Sequence, residues 1–332
     1  MVTINDVAAE SGLSVGTVSK VINNLNVKES NRKKVEAAID RLGYQVNMYA
    51  RGFKIDKTYT VAIIVPDLIN PFFALFVNFV EKTLVGEGYK LLVCTTYGDA
   101  EKESSYVSIV VRNRVDGIIL ISYHHIEDEL KNITIPIVSI DRHLENAGCC
   151  ISGDNENGGK LAAEKLIKTG CTCVAYLHNG SNLDGETLKR GKSFIKTCRR
   201  AKIRADEIDF GEETTLNEFQ ISKIYEFLER NLSTGRFAYD GIFTSSDIHA
   251  VLVTEKLQQL GVKIPEEVQV IGYDGLKILN VGDYAVSSIA QPIKNMATAS
   301  IKALLGLINK EAVEKNIILP VQFVEGGTTR KE

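Results

Sequence analysis

From Thr60 onward the chain alternates between two textures. Short β-branched runs recur: TVAIIV (60–65), KLLVC (90–94), GIILI (117–121), PIVSI (136–140), CVAYLH (173–178), GIFTS (241–245) and VQVIGY (268–273). Between most of them lie helical apolar patterns, over 73–87, 100–112, 156–168, 185–200, 215–230 and 247–260. Apolar strands alternating with amphipathic helices require parallel sheets covered on both faces. About 270 residues of such alternation exceed one comfortable core, so two α/β lobes are expected. Neither half carries a G-x-G-x-x-G or a Walker loop after its first strand. The nearest glycine cluster, GDNENGG (153–159), reads as a turn entering a helix.

The residues before Thr60 have another character. Thr3 can cap a helix over about Ile4–Glu10, with Asp6 as its capping-box partner, and Gly12 follows as a turn residue. Ser14 caps a second helix whose apolar face is Val18, Val21 and Ile22. A third helix over about Asn31–Leu42 places Val35, Ala38, Ile39 and Leu42 on one face and ends at Gly43. Two short helices joined by a glycine-containing turn are compatible with a helix-turn-helix, and equally with plain packing. The outer face of the second helix favours reading: Val15, Gly16 and Lys20 point away from the apolar set. Ser14, Thr17, Ser19 and Asn23 offer short polar groups suited to phosphate or groove contacts.

Charge supports that division. Residues 1–59 carry nine Lys/Arg against six Asp/Glu, whereas the whole chain carries 39 against 42. A small basic head on an acidic body fits nucleic-acid contact at the head. Charged content of 24% is ordinary for a globular protein, and no apolar run approaches the roughly 18 residues of a membrane span. Asp6 and Glu10 interrupt any signal-peptide order, which leads to an expectation of a cytoplasmic protein. The six cysteines (94, 149, 150, 171, 173, 198) lack C-x-x-C spacing and read as reduced, buried thiols. His124, His125 and His143 read as loop histidines, and no metal set, acid/base pair or nucleophile elbow can be assembled. The expectation is a non-enzyme without cofactor or metal.

The segment NMYARGFKIDKTY (47–59) is too polar for core and by itself reads as a solvated connector. The stretches around it change that reading. VTINDVAAESGLSVGTVSKVINN, SNRKKVEAAIDRLGYQVNMYARGF, VAIIVPDLINPFF, VDGIIL, SIDR, GDNENGG, DGIFTSSD, LGVKIPEEVQVIGYDG and SSIAQP occur in this order. In this the chain resembles the lactose-repressor (LacI/GalR) family of bacterial transcription regulators over nearly its whole length.

The resemblance implies an all-α helix-turn-helix head (1–46), a hinge helix and linker (47–59), and a two-lobed α/β core like the periplasmic binding proteins. The core lobes would be 60–160 with 292–321, and 161–291 with 322–332. Base reading would fall to Val15, Gly16 and Lys20. Lys20 can donate to guanine and Val15 can touch a thymine methyl, while Gly16 has no side chain. Thr3 and Tyr44 join Ser14, Thr17, Ser19 and Asn23 as further DNA contacts. The family's hinge pattern is matched by Asn47, Ala50 and Arg51, with Phe53 in place of the wedging leucine. Val46 replaces the usual proline, and Gly52 weakens the hinge helix by roughly 1 kcal/mol against Ala.

An effector would lie between the lobes, at the C-terminal ends of the strands. The matching positions are Asn70, Phe72, Phe73, Asp141, Arg190, Ser246 (where asparagine is usual), Tyr273, Asp274 and Gln291. Carboxylates with a guanidinium fork suit a sugar or sugar phosphate, and Phe72, Phe73 or Tyr273 could stack on its ring. Plainer roles exist for several: Arg190 as a solvated helix charge, Asp247 as a helix N-cap, Phe73 as core. The partners implied are a near-palindromic operator DNA, a small effector and a second copy in a homodimer. The alternative is a phosphocarrier protein as corepressor, as in the family's catabolite-control branch.

Overall fold

The computed structural model describes residues 2–22, 25–44, 57–179, 185, 187–211, 217–233, 235–277 and 282–331. The hinge residues Val46, Asn47, Ala50, Arg51, Gly52 and Phe53, and Asn23 of the head, lie outside them. Two compact units result, Met1–Thr58 and Tyr59–Glu332.

In the first unit α1 (Ile4–Ser11), α2 (Val15–Ile22) and α3 (Glu29–Leu42) close around Val7, Ala8, Val18, Val21, Val35 and Ala38. The expected signals act as signals. Thr3 and Asp6 form a reciprocal capping box on α1, and Gly12 and Gly43 end α1 and α3 in the left-handed conformation. The third helix starts two residues earlier than expected, at Glu29, without a side-chain cap.

The second unit holds two six-stranded sheets. Strands β1 (Thr60–Val65), β2 (Lys90–Thr95), β3 (Gly117–Leu120), β4 (Ile137–Ile140), β5 (Cys149–Gly153) and β13 (Asn316–Leu319) form the first, all parallel, in the order β13-β5-β4-β3-β1-β2. Helices α4 (Pro71–Gly86), α5 (Ala100–Arg112), the short α6 (Glu127–Leu130) and α11 (Ile293–Ile308) accompany it.

The second sheet contains β6 (Cys173–His178), β7 (Arg204–Asp209), β10 (Gly241–Thr244), β11 (Gln269–Asp274), β12 (Ser288–Ala290) and β14 (Gln322–Val324), in the order β14-β12-β11-β10-β6-β7. Only β14 runs antiparallel. Its helices are α7 (Asn155–Lys168), α8 (Thr187–Arg200), α9 (Glu218–Arg230) and α10 (Asp247–Gln259), and a hairpin of β8 (Leu232–Ser233) and β9 (Arg236–Phe237) follows α9.

The chain passes between lobes three times: after β5, after β12 and between β13 and β14. The first passage comes earlier than 160, because α7 starts at Asn155 and packs against α8 of the second lobe. The passages meet at Gly153. A Cβ there would lie 2.9 Å from Gln291 Oε1 and 3.2 Å from a Val321 methyl, and the Asp154 amide donates to the Leu319 carbonyl at 2.8 Å. Five of the six cysteines are buried and the sixth, Cys173, is partly so; all are free thiols.

Candidate nucleic-acid interface and effector cleft

On the head, α2 buries Val18 and Val21 and leaves Val15, Gly16 and Lys20 exposed, with Thr17 and Ser19 half-buried beside them. The helix therefore packs with one face and presents the other. Two of the expected DNA contacts also have local duties. The Thr3 hydroxyl donates to Asp6 Oδ2 at 2.8 Å and accepts the Asp6 amide, closing the α1 capping box. Ser14 accepts the Thr17 amide at 3.2 Å and shares a 3.0 Å hydrogen bond with the Thr17 hydroxyl, capping α2. Tyr44 is half-buried against the head core. Lys20 remains the one long exposed donor on the described reading face.

In the core, both sheets direct the C-terminal ends of their strands to a common cleft, where open parallel sheets bind ligands. Arg190 on α8 is its centre. Its Nε donates to Asn155 Oδ1 at 2.8 Å, its Nη1 to the Ser245 carbonyl after β10 at 2.6 Å, and its guanidinium stacks 3.6 Å above the Tyr273 ring. Asn155, the first residue of α7, also donates to Asp141 Oδ1 at 3.5 Å and to the Gly153 carbonyl at 3.1 Å. A continuous polar path thus joins Asp141 of the first lobe to Arg190 of the second. Asp274, at the end of β11, accepts from Gln291 Nε2 at 2.9 Å. Asp141 and Asp274 both have positive φ, 55° and 126°, an uncommon backbone for a non-glycine residue and one that clusters at functional sites.

Electrostatics ties the same residues together. Burial pushes the Tyr123 hydroxyl upward, and Asp141, Asp274 and Asp67 push it further, while Arg190 opposes them. All four charges therefore act on one tyrosine after β3. Burial works against the charge of Arg190, yet Tyr273, Tyr176, Asp141 and Asp274 together raise its pKa. Burial holds the Asp274 carboxyl well above the usual carboxylate range, and the neighbouring Asp247 adds to the effect. Asp247 itself is raised to about 6 by burial, against bonds from the Leu276 amide at 2.6 Å and the Ser288 hydroxyl at 2.5 Å.

Several expected cleft residues have local structural duties. Phe72 and Phe73 are buried in the first-lobe core, in edge-to-face contact with each other at 5.5 Å. Tyr273 is fully buried, with one ring face covered by Arg190, so it supports the guanidinium and is no platform for a sugar. Ser246 is the N-cap of α10, accepting the His249 amide and pairing with His249 Nδ1 at 2.9 Å. That leaves Asp247 as a buried brace rather than the cap. Asn70 caps α4 through the Phe72 amide at 3.0 Å, and Asp67 Oδ1 holds the loop before it through the amides of Ile69 and Asn70.

Arg190 is buried and bonded, not a solvated charge. Asn155, Tyr123 and Asp67 were not singled out from sequence. Asn155 lies within the GDNENGG stretch, whose two adjacent glycines, Gly158 and Gly159, now have a reason. A Cβ on Gly158 would sit 2.8 Å from the Tyr273 ring, and one on Gly159 would sit 1.9 Å from the Arg190 carbonyl oxygen. The glycines let α7 touch the two residues that shape the cleft.

Two family models match the chain: bacterial regulatory proteins of the lacI family over residues 3–47, and a periplasmic binding protein-like domain over 163–329. The sucrose operon repressor of Pediococcus pentosaceus is 33% identical over 98% of each chain. The ribose operon repressor of Bacillus subtilis is 32% identical over the full length of both. Among solved structures, a periplasmic binding protein/LacI transcriptional regulator from Alkaliphilus metalliredigens, complexed with D-xylulofuranose, is 32% identical with a TM-score of 0.71. It covers 82% of this chain and 100% of its own. The lac repressor dimer bound to operator shares the fold at a TM-score of 0.82 and 22% identity, over 99% of each chain. The head, the two-lobed parallel-sheet core and relatives matched end to end agree: this chain is a bacterial regulatory protein of the lacI family.

Proposed function

We propose that the protein is a sequence-specific transcriptional repressor whose affinity for operator DNA is set by a sugar or sugar phosphate bound between the core lobes. The observation that carries this reading is the cross-lobe chain Asp141–Asn155–Arg190, in a protein whose α2 presents Val15, Gly16 and Lys20 outward. A ligand that closes the lobes on that chain shifts the population between open and closed cores, by no more than its differential affinity for the two. Two α2 helices reading two half-sites of a near-palindrome require a homodimer, and work on DNA places the protein inside the cell. No catalytic role enters this reading.

The test is direct. Operator sequences are selected from random DNA by the full-length protein, and sugars and sugar phosphates are then titrated onto the complex while fluorescence anisotropy is followed. Release or tightening by a member of the panel, abolished by Arg190→Ala, is expected. Failure to select any DNA sequence would overturn the reading.

A further inference from the structure

The outward face of α8 is cationic without compensation. Residues 187–204, from the start of α8 to the first residue of β7, hold eight Lys/Arg and no Asp/Glu, in a chain with 39 of the first kind and 42 of the second. Arg190 is buried, whereas Lys192, Lys196, Arg199 and Arg200 are exposed. These four stand at i, i+4, i+7 and i+8 and so share one side of the helix.

Like charges at such spacing oppose helix formation. The helix dipole offsets that cost for Arg199 and Arg200, which occupy the last turn. It does nothing for Lys192 and Lys196, two turns and one turn earlier. Cations of the neighbouring helices are paired instead: Lys160 with Glu164, Arg230 with Glu226 and Lys256 with Glu229. Lys192, Lys196, Arg199 and Arg200 have no ion pair among the described residues. Of the acids that follow on β7, Asp206 pairs with Arg204 at 2.7 Å and Glu207 Oε1 lies 3.3 Å from His178 Nε2.

The same face is concave. The four cations line a depression of about 540 Å³ between α8 and the edge strand β7, with Ile195 and Glu207 completing its wall. Small-molecule sites fall in the range of about 300–1,000 Å³.

We infer that this depression binds a small ligand carrying two or more linked phosphate groups, a nucleoside polyphosphate or an inorganic polyphosphate. Two ammonium groups act as point donors and two guanidinium groups as planar forks, a set that matches successive phosphates along a chain. A single phosphate leaves part of the set unanswered. Lys192 to Arg200 extends only about 12 Å along the helix axis, and the Glu207 carboxylate interrupts the cationic wall. Both features favour a compact ligand over duplex DNA, whose backbone charge is continuous. The site is separate from the effector cleft, to which the buried Arg190 belongs, and does not depend on what the cleft binds.

Calorimetry on the full-length protein, in EDTA and at physiological ionic strength, tests this with ATP, inorganic tripolyphosphate, adenosine and inorganic phosphate. Saturable binding of one ATP or one tripolyphosphate per chain is expected, with adenosine and inorganic phosphate at least tenfold weaker. ATP binding more tightly than tripolyphosphate makes the nucleoside part of the ligand; otherwise the phosphate chain alone is recognised.

The double variant Lys196→Gln/Arg199→Gln is expected to weaken that binding by about tenfold, with Tm no lower than the wild type and the selected operator sequence unchanged. Failure of both ATP and tripolyphosphate to bind overturns the inference. Binding undiminished in the double variant also overturns it, and loss of that binding in Arg190→Ala would place the anion in the cleft. A double variant in which only non-specific DNA affinity falls assigns the face to nucleic acid and overturns the inference as well.

Discussion

The Arg190 guanidinium lies 3.6 Å over the Tyr273 ring and is fixed there by Asn155 and the Ser245 carbonyl. Its position is set by planar stacking and two directed bonds, neither of which a lysine ammonium reproduces. Arg190→Lys is therefore expected to weaken the effector by 10- to 100-fold, on the order of one or two charge-assisted hydrogen bonds. Selection of operator DNA without effector should survive. Calorimetry and anisotropy on the same preparation check both halves.

Gly159 faces the Arg190 carbonyl, and Gly158 faces the Tyr273 ring. Backbone cannot turn aside as a side chain can, so Gly159→Ala should be the worse change. We expect it to cost about 1–3 kcal/mol or more, seen as a drop of several degrees in Tm, together with lost effector binding. Gly158→Ala should fall between it and the wild type. Thermal melts of the two variants decide the order.

Glu103 on α5 is 1% exposed and its Oε1 has no hydrogen-bond partner among the described residues. Burial raises its carboxyl from 4.5 to about 7, against the Ser122 hydroxyl and the Arg142 charge, with Glu129 and Glu127 adding to the rise. The native state therefore holds a proton that the unfolded chain releases. Its stabilising contribution is complete below about pH 4.5 and is lost as pH rises to about 7, so stability should fall across that window. Denaturant titrations from pH 4.5 to 8 should show a smaller decline in Glu103→Gln than in the wild type.

Lys20 is the one long donor exposed on the described face of α2. Lys20→Ala is expected to relax base preference at one position of each half-site, by about 1–3 kcal/mol of discrimination. DNA selection repeated with the variant reads this out. An unchanged selected sequence would place specificity elsewhere.

Much of the architecture was legible because it depends on local periodicity. TVAIIV and CVAYLH are strands at the residues where their apolar runs occur, and Thr3, Gly12 and Gly43 cap the helices they punctuate. The edge strand β7 escaped notice because RADEID is charged, as an exposed edge can be, and no apolar run marks it. The short strands β12 to β14 and the early passage between lobes at 154 escaped for a related reason: long-range pairing, not local pattern, defines them.

The residue types at the cleft came from the sequence: Asp141, Arg190, Asp274 and Gln291 stand where the strands and helices put them. Their duties were decided by tertiary structure. Sequence could offer Arg190 as a free fork, Tyr273 as a stacking ring and Phe73 as a contact. Only packing shows the fork engaged, the ring beneath it, and the phenylalanine in the core. The physical reason is that a side chain's donors are shared among neighbours distant in sequence. Asn155, 35 residues from Arg190 and 14 from Asp141, takes its place in the site only when both lobes are folded around it.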